Sequence, residues 1–298
     1  MSETDKAASG WMNGFLGMLI FSGSLPATRL AVASFDPVFL TVARACIAGA
    51  LGLVLLLVFR EKRPERSDLI PLAVVAFGVV IGFPLLTALA LKHITAGHSV
   101  VFVAVLPLTT AIFGVLRGGE RPRPAFWLFS GLGAVLVAGF ALLQGGGAAS
   151  IGDVLMIGAV IVCGLGYAEG ARLSRKLGGW QVISWALVMS LPVMVPAALA
   201  TLPASWDGIG ESAWMGLGYV SLFSMLIGFV FWYRGLAQGG IAAVGQLQLL
   251  QPFFGLVLAA TLLHEPVGWS MVAVATAVVL CVVGAKRFAR PVVVLAAR

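Results

Sequence analysis

An all-α membrane protein of ten transmembrane helices, built as two five-helix repeats of inverted topology, is the fold class that this sequence predicts. Three observations carry the prediction. Of the 298 residues, 60% are hydrophobic and 10% charged, with a mean hydropathy of +1.04, whereas soluble domains hold roughly a quarter charged residues. The apolar residues gather in runs of about 20, the length a helix needs to cross the hydrocarbon of a bilayer. The basic residues gather in alternate connections between those runs, as orientation in a membrane demands.

Spans 1 to 10 are expected at 11–33, 38–59, 69–91, 97–116, 124–143, 151–171, 182–202, 214–233, 241–263 and 267–285. The stretches 69–91, 177–206 and 235–263 hold no charge and no polar alternation. That excludes barrel strands and leaves helices, which satisfy their own backbone in lipid. Together the spans consume most of the chain, so no soluble domain is expected beside them. Ahead of span 1, Met1 to Gly10 carry two acids and the single Lys6. This is not the basic start of a signal peptide, and the first span is expected to be retained.

A net charge of +7 and a pI near 9.8 would point to nucleic acid in a soluble protein. Here sixteen of the nineteen Lys and Arg lie before span 1 or after spans 2, 4, 6, 8 and 10. Lys92 lies in an opposite connection, and Arg29 and Arg44 fall inside spans. The positive-inside rule then places both termini in the cytoplasm, in a multi-pass protein of the bacterial inner membrane that binds no nucleic acid. Cys46, Cys163 and Cys281 each lie in an apolar run; an odd, scattered set gives neither a disulfide framework nor metal spacing.

Shifting the chain by 145 residues lays Pro107 on Pro252 and Glu120 on Glu265, and a shift of 141 lays Gly17 on Gly158 and Gly23 on Gly164. The proline and glutamate matches carry the weight, because both residue types are rare there and both pairs keep one separation. Residues 1–145 and 146–298 therefore read as two repeats forming one membrane domain. Five spans per repeat is an odd number, so the second copy enters from the other side, the architecture of many alternating-access carriers.

On Pro107, Pro252, Glu120, Glu265, the paired glycines and Arg44, the sequence resembles the drug/metabolite transporter superfamily, EamA type, and among its members the YddG-type amino-acid exporters. The resemblance covers about 11–285. It implies helices 1, 3, 4, 6, 8 and 9 around a central cavity and a small-molecule substrate such as an amino acid or related metabolite.

The residues themselves offer several roles, each beside a plainer one. Pro26, Pro84, Pro107 and Pro252 lie within spans, where each frees a backbone carbonyl. They are hinge or kink candidates, although proline is common in membrane helices for packing alone. Glu120 and Glu265 stand just before a helix start and read as structural carboxylates stabilised by exposed N–H groups, rather than as proton carriers. Arg44, two turns inside span 2, is a costly buried cation, expected to be tied to Asp36 at the outer end. Arg29 either pairs or snorkels. Glu169 is expected to pair with Arg172 at the surface, and all eight tryptophans are assigned to interfacial belts.

Polar and aromatic groups deep in the spans are the candidate substrate ligands: Ser24, Phe83, His98, Phe102, Tyr167, Gln246 and Gln248. Ser22, Thr28, Thr87, Ser99, Thr109 and Gln251 lie near them. An amide is too costly to face lipid, so it bonds another helix or lines a cavity. The repeat mates of the three glutamines are Val101, Val103 and Leu106, which disfavours a symmetric structural ladder. No metal or cofactor is expected, because His93, His98 and His264 lack ligand spacing and no nucleotide-binding or hydrolase motif occurs. The function expected is export of small metabolites, neutral amino acids foremost, by alternating access, with a proton gradient as a possible drive. A drug- or nucleoside-type exporter is the alternative within the class; an intramembrane enzyme or a lipid-handling scaffold is the alternative outside it. An enzyme would need a deep acid pair or an activated nucleophile, and none is visible.

Overall fold

A computed structural model describes residues 3–90, 93–94, 99, 102–145, 150–251, 253–254, 257–258 and 269–289. His98, Pro252 and Glu265 lie outside the described residues. Among those described there are helices and no strands. Six helices are long and apolar enough to cross a membrane, at Asp5–Val32, Pro37–Val58, Arg66–Ala90, Ile151–Leu177, Gly179–Ala200 and Glu211–Gly239. Shorter apolar helices follow at Leu106–Gly118, Pro124–Gly139 and Ile241–Leu250, and a last one runs from Trp269 to Phe288. Each falls on one of the ten expected spans.

Local chemistry explains where these helices begin and end. Span 2 starts at Pro37, a residue suited to the first turn, and Asp36 accepts from the amides of Val38 at 2.8 Å and Phe39 at 3.2 Å. Span 6 starts with a capping box in which Ser150 and Asp153 satisfy each other's backbone N–H groups,. It runs six residues past its expected end, to Leu177, because Arg175 and Lys176 complement the negative end of the helix dipole,. Gly178 stops it at φ +99°, and Gly240 stops span 8 at φ +95°; a side chain would be strained at either place.

Several spans are interrupted, and the interruptions follow a pattern. Span 1 breaks at Gly23 between Glu3–Ser22 and Ser24–Val32. In span 3 a π-helical stretch, Ala76–Gly82, separates Arg66–Val75 from Phe83–Ala90, and in span 8 another, Val220–Ile227, separates Glu211–Tyr219 from Gly228–Gly239. Span 4 resumes after a turn at Leu106, and span 9 tightens to a 3₁₀ stretch at Gln246–Leu250. Pro26, Pro84 and Pro107 each stand within the first three residues of a new segment, where a missing N–H costs least. Pro26 and Pro107 thus follow helix restarts, whereas Pro84 stands where the π stretch passes without a break into α-helix.

Pairing between spans obeys one rule. Span 1 packs on span 8 as span 6 packs on span 3, while spans 2 and 7 face each other and spans 5 and 10 do the same. A two-fold axis exchanging the two halves of the chain produces this set. The interfaces are tight where glycine allows it. A Cβ on Gly235 would lie 2.5 Å from the backbone nitrogen of Gly14, and one on Gly78 would lie 2.5 Å from the carbonyl oxygen of Val162. Small residues bring membrane helices into backbone contact in this way.

Candidate functional site

At the centre the broken spans enclose a cavity of about 90 Å³. All six spans implied by the family resemblance contribute to its wall, and span 2 adds Leu40, Thr41 and Arg44. Its floor is aromatic: Tyr167 packs on Phe229 and Trp232 with ring centroids 5.9 and 5.5 Å apart, and Phe21 meets Phe229 at 5.0 Å. One side of the wall is polar. Ser24 donates to the Ser224 hydroxyl at 2.8 Å, Arg44 donates to the same oxygen at 3.1 Å, and Gln251 donates to the Phe21 carbonyl at 3.3 Å. The Arg44 Nε and the Thr87 hydroxyl are buried without a hydrogen-bond partner among the described residues, a cost for each polar group.

The π-helical stretches place part of this wall. Val79 and Ser224 are 145 residues apart, sit in the two π segments, and both line the cavity. A π turn widens the helix and leaves backbone groups off the regular ladder, and such turns recur at functional positions. Leu106 and Gln251, also 145 apart, form a second lining pair.

Of the seven candidate ligands, Ser24, Phe83 and Tyr167 line the cavity. Gln248, fully buried, lies beside the Tyr167 hydroxyl, yet neither amide atom completes a hydrogen bond. It stands behind the wall rather than in it. Gln246 turns back on its own helix, donating to the Ala242 carbonyl at 3.4 Å. Phe102 packs with Ala90, Val103 and Met156. A turn at 104–105 separates Phe102 from the helix that carries Thr109. Thr109 is oriented by the Leu106 carbonyl at 2.9 Å, and Ser22 by the Met18 carbonyl at 2.9 Å. Thr28, Thr87 and Gln251, named only as neighbours, do line the cavity.

Other assignments change. Arg44 is not tied to Asp36, whose carboxylate caps its own helix; it belongs to the cavity wall. Arg29 is exposed near the end of its helix, the snorkelling position. Trp232 is no belt residue, being fully buried against Phe21 and Tyr167. Trp206 and Trp214 do stack on each other near Phe35 and Phe39 at one end of the bundle.

At the opposite end, charges join the two halves of the chain. Lys176 donates to Glu65 at 2.8 Å and Asp68 at 2.9 Å. Glu169 pairs with Arg172 as its spacing predicts, but it is fully buried and also takes Arg117 at 3.0 Å. Burial, not surface exposure, makes this pair demanding, since removing either arginine leaves a carboxylate short of a partner. Glu120 serves a helix start in the other repeat, and not the one that follows it. Its two oxygens accept from the amides of Ile241 at 2.6 Å and Ala242 at 2.7 Å, with Arg175 at 3.4 Å. Burial pushes the Glu120 carboxyl above its ordinary range, and the two amides and Arg175 oppose that shift. No cluster of His, Cys, Asp and Glu suited to a metal occurs among the described residues.

Comparison with known proteins gives the same architecture. A protein of Bacillus subtilis (strain 168) named uncharacterized transporter YdeK is 68% identical over 286 residues, covering 96% of this chain and 100% of its own. A probable terminal-alkyne amino-acid exporter of Streptantibioticus cattleyicolor is 23% identical over 256 residues, 84% of each chain. A solved crystal structure superposes with a TM-score of 0.76 over 95% of this chain and 98% of its own, at 21% identity, which attests the fold. The EamA-like transporter family model matches twice, at 8–142 and 150–285. Two copies of one helical unit around a shared cavity, matched along nearly the whole chain, make this protein a member of the EamA-like transporter family.

Proposed function

We propose that the chain exports small metabolites, neutral amino acids foremost, across the bacterial inner membrane by alternating access. The observation that carries this reading is the central cavity, walled by both repeats and lined on one side by polar groups. Its volume of about 90 Å³ suits a small molecule. The name of the Streptantibioticus relative points to the same substrate class. In this reading Ser24, Phe83, Tyr167, Thr28 and Thr87 contact substrate, and Gln248 stands behind Tyr167. Pro26, Pro84 and Pro107 mark joints about which segments turn, and the ion pairs of Glu65, Asp68 and Glu169 with their basic partners hold the cytoplasmic end shut.

The inverted order of the repeats gives the movement its form. Exchange of their conformations closes one end while opening the other. The test is uptake of a panel of labelled amino acids into proteoliposomes, with and without a pH gradient, beside phosphorylated sugars. Neutral amino acids are expected to cross and phosphorylated sugars are not, because the described spans hold no Lys/Arg cluster to take a polyanion. Stimulation by the gradient would identify proton drive. Failure of every amino acid to cross, with nucleosides or cationic drugs crossing instead, would transfer the protein to the alternative substrate class.

A further inference from the structure

Arg44 is the one charged residue that lines the cavity among the described residues. It stands about 10 Å along its helix from Pro37, at a rise of about 1.5 Å per residue, and no described carboxylate pairs with it. Among the described residues its side-chain bond is to the neutral Ser224 hydroxyl, and its Nε is buried without a partner there. A cation enclosed in this way carries a large desolvation cost that one neutral oxygen does not offset. Retaining it requires something that arrives and leaves.

Its surroundings specify what arrives. Ser224 accepts from Arg44 at 3.1 Å and from Ser24 at 2.8 Å, so its own proton remains for an acceptor. The unpartnered Thr87 hydroxyl lines the same cavity. The guanidinium only donates, and the Ser224 and Thr87 hydroxyls each have a proton to offer, so an ionised carboxylate, which only accepts, fits them. A guanidinium fork also matches a carboxylate in shape. We propose that Arg44, assisted by Ser224, is the specificity-determining residue that recognises a carboxylate on the transported molecule. An amino group on that molecule has no described carboxylate to meet. It faces the Thr28 hydroxyl and the aromatic floor of Tyr167 and Phe229, a weaker attraction. The carboxylate is the obligatory part of the ligand and the ammonium an optional one.

This inference rests on the transport reading but fails separately from it. Purified full-length protein is challenged with L-leucine, with 4-methylpentanoate, which lacks the ammonium, and with L-leucinamide, which lacks the carboxylate. A set of other short monocarboxylates is added, and binding is read by calorimetry and thermal shift. Leucine and 4-methylpentanoate are expected to bind at least about tenfold more tightly than leucinamide, the worth of one charge-assisted bond. Arg44→Gln should remove that difference and Arg44→Lys should keep part of it. Ser224→Ala, a smaller change, should weaken carboxylates several-fold and settles the matter if Arg44→Gln does not fold. Equal binding of leucine and leucinamide overturns the proposal and leaves amino-acid export standing. Binding of monocarboxylates without leucine upholds the proposal and removes the amino-acid reading. Absence of binding by every carboxylate overturns it.

Discussion

A single carboxylate shows how much one residue can do for two repeats. Glu120 belongs to the first half of the chain, yet it satisfies the first amides of Ile241–Gly245 in the second. Glu120→Gln keeps the shape but offers one acceptor oxygen where two are used, and a buried amide left unmet costs about 1–3 kcal/mol. The variant should melt several degrees lower in detergent while the surviving folded protein transports at close to the wild-type rate. Normal folded yield with loss of gradient-driven transport would instead make Glu120 a proton carrier. The sequence announced a helix-start carboxylate through the adjacent Arg121-Pro122, but it could not say which start, because the partner amides lie 121 residues away. Arg44 was misread for a related reason. Asp36 lies two helical turns earlier and is the nearest acid along the chain, but its position before Pro37 already commits it to capping. Distance in sequence concealed Ser224.

Among the elements, the spans were legible and their interruptions were not. Apolar runs report where helices lie, and each helix described falls on an expected span. Periodicity calculated for an ideal helix fails where the helix changes type, as it does at the turn before Leu106. Prolines 26, 84 and 107 signalled the neighbourhood of three interruptions; nothing comparable in Val220–Ile227 signals a π stretch. The glycine interfaces are directly testable. Gly78→Ala and Gly235→Ala would each drive a Cβ into backbone at 2.5 Å, and overpacking of this kind costs about 1–3 kcal/mol. Both should lose folded yield and melting temperature. Gly131→Ala and Gly218→Ala, where a Cβ meets open space, should leave both quantities near wild type; equal losses in all four would show that the contact does not govern stability.

For the molecule as a whole, orientation is the property that charge alone assigns. Both termini and the connection near Arg63 are expected in the cytoplasm, and residue 146 outside. Single cysteines at 63 and 146, placed in a background without Cys46, Cys163 and Cys281, distinguish the two ends with an impermeant thiol reagent. Labelling at 146 alone from outside is the expected result, and labelling at 63 alone would invert the assignment. The two-fold pairing of spans is almost a property of the backbone alone, since the side chains at related positions differ: Val79 answers to Ser224 and Leu106 to Gln251. In the carrier cycle proposed above, an exchange of shape between the halves would return the same scaffold with unlike side chains at related positions. The two end states of such a molecule would share an outline yet differ in free energy, so a resting preference for one face of the membrane needs no asymmetric fold.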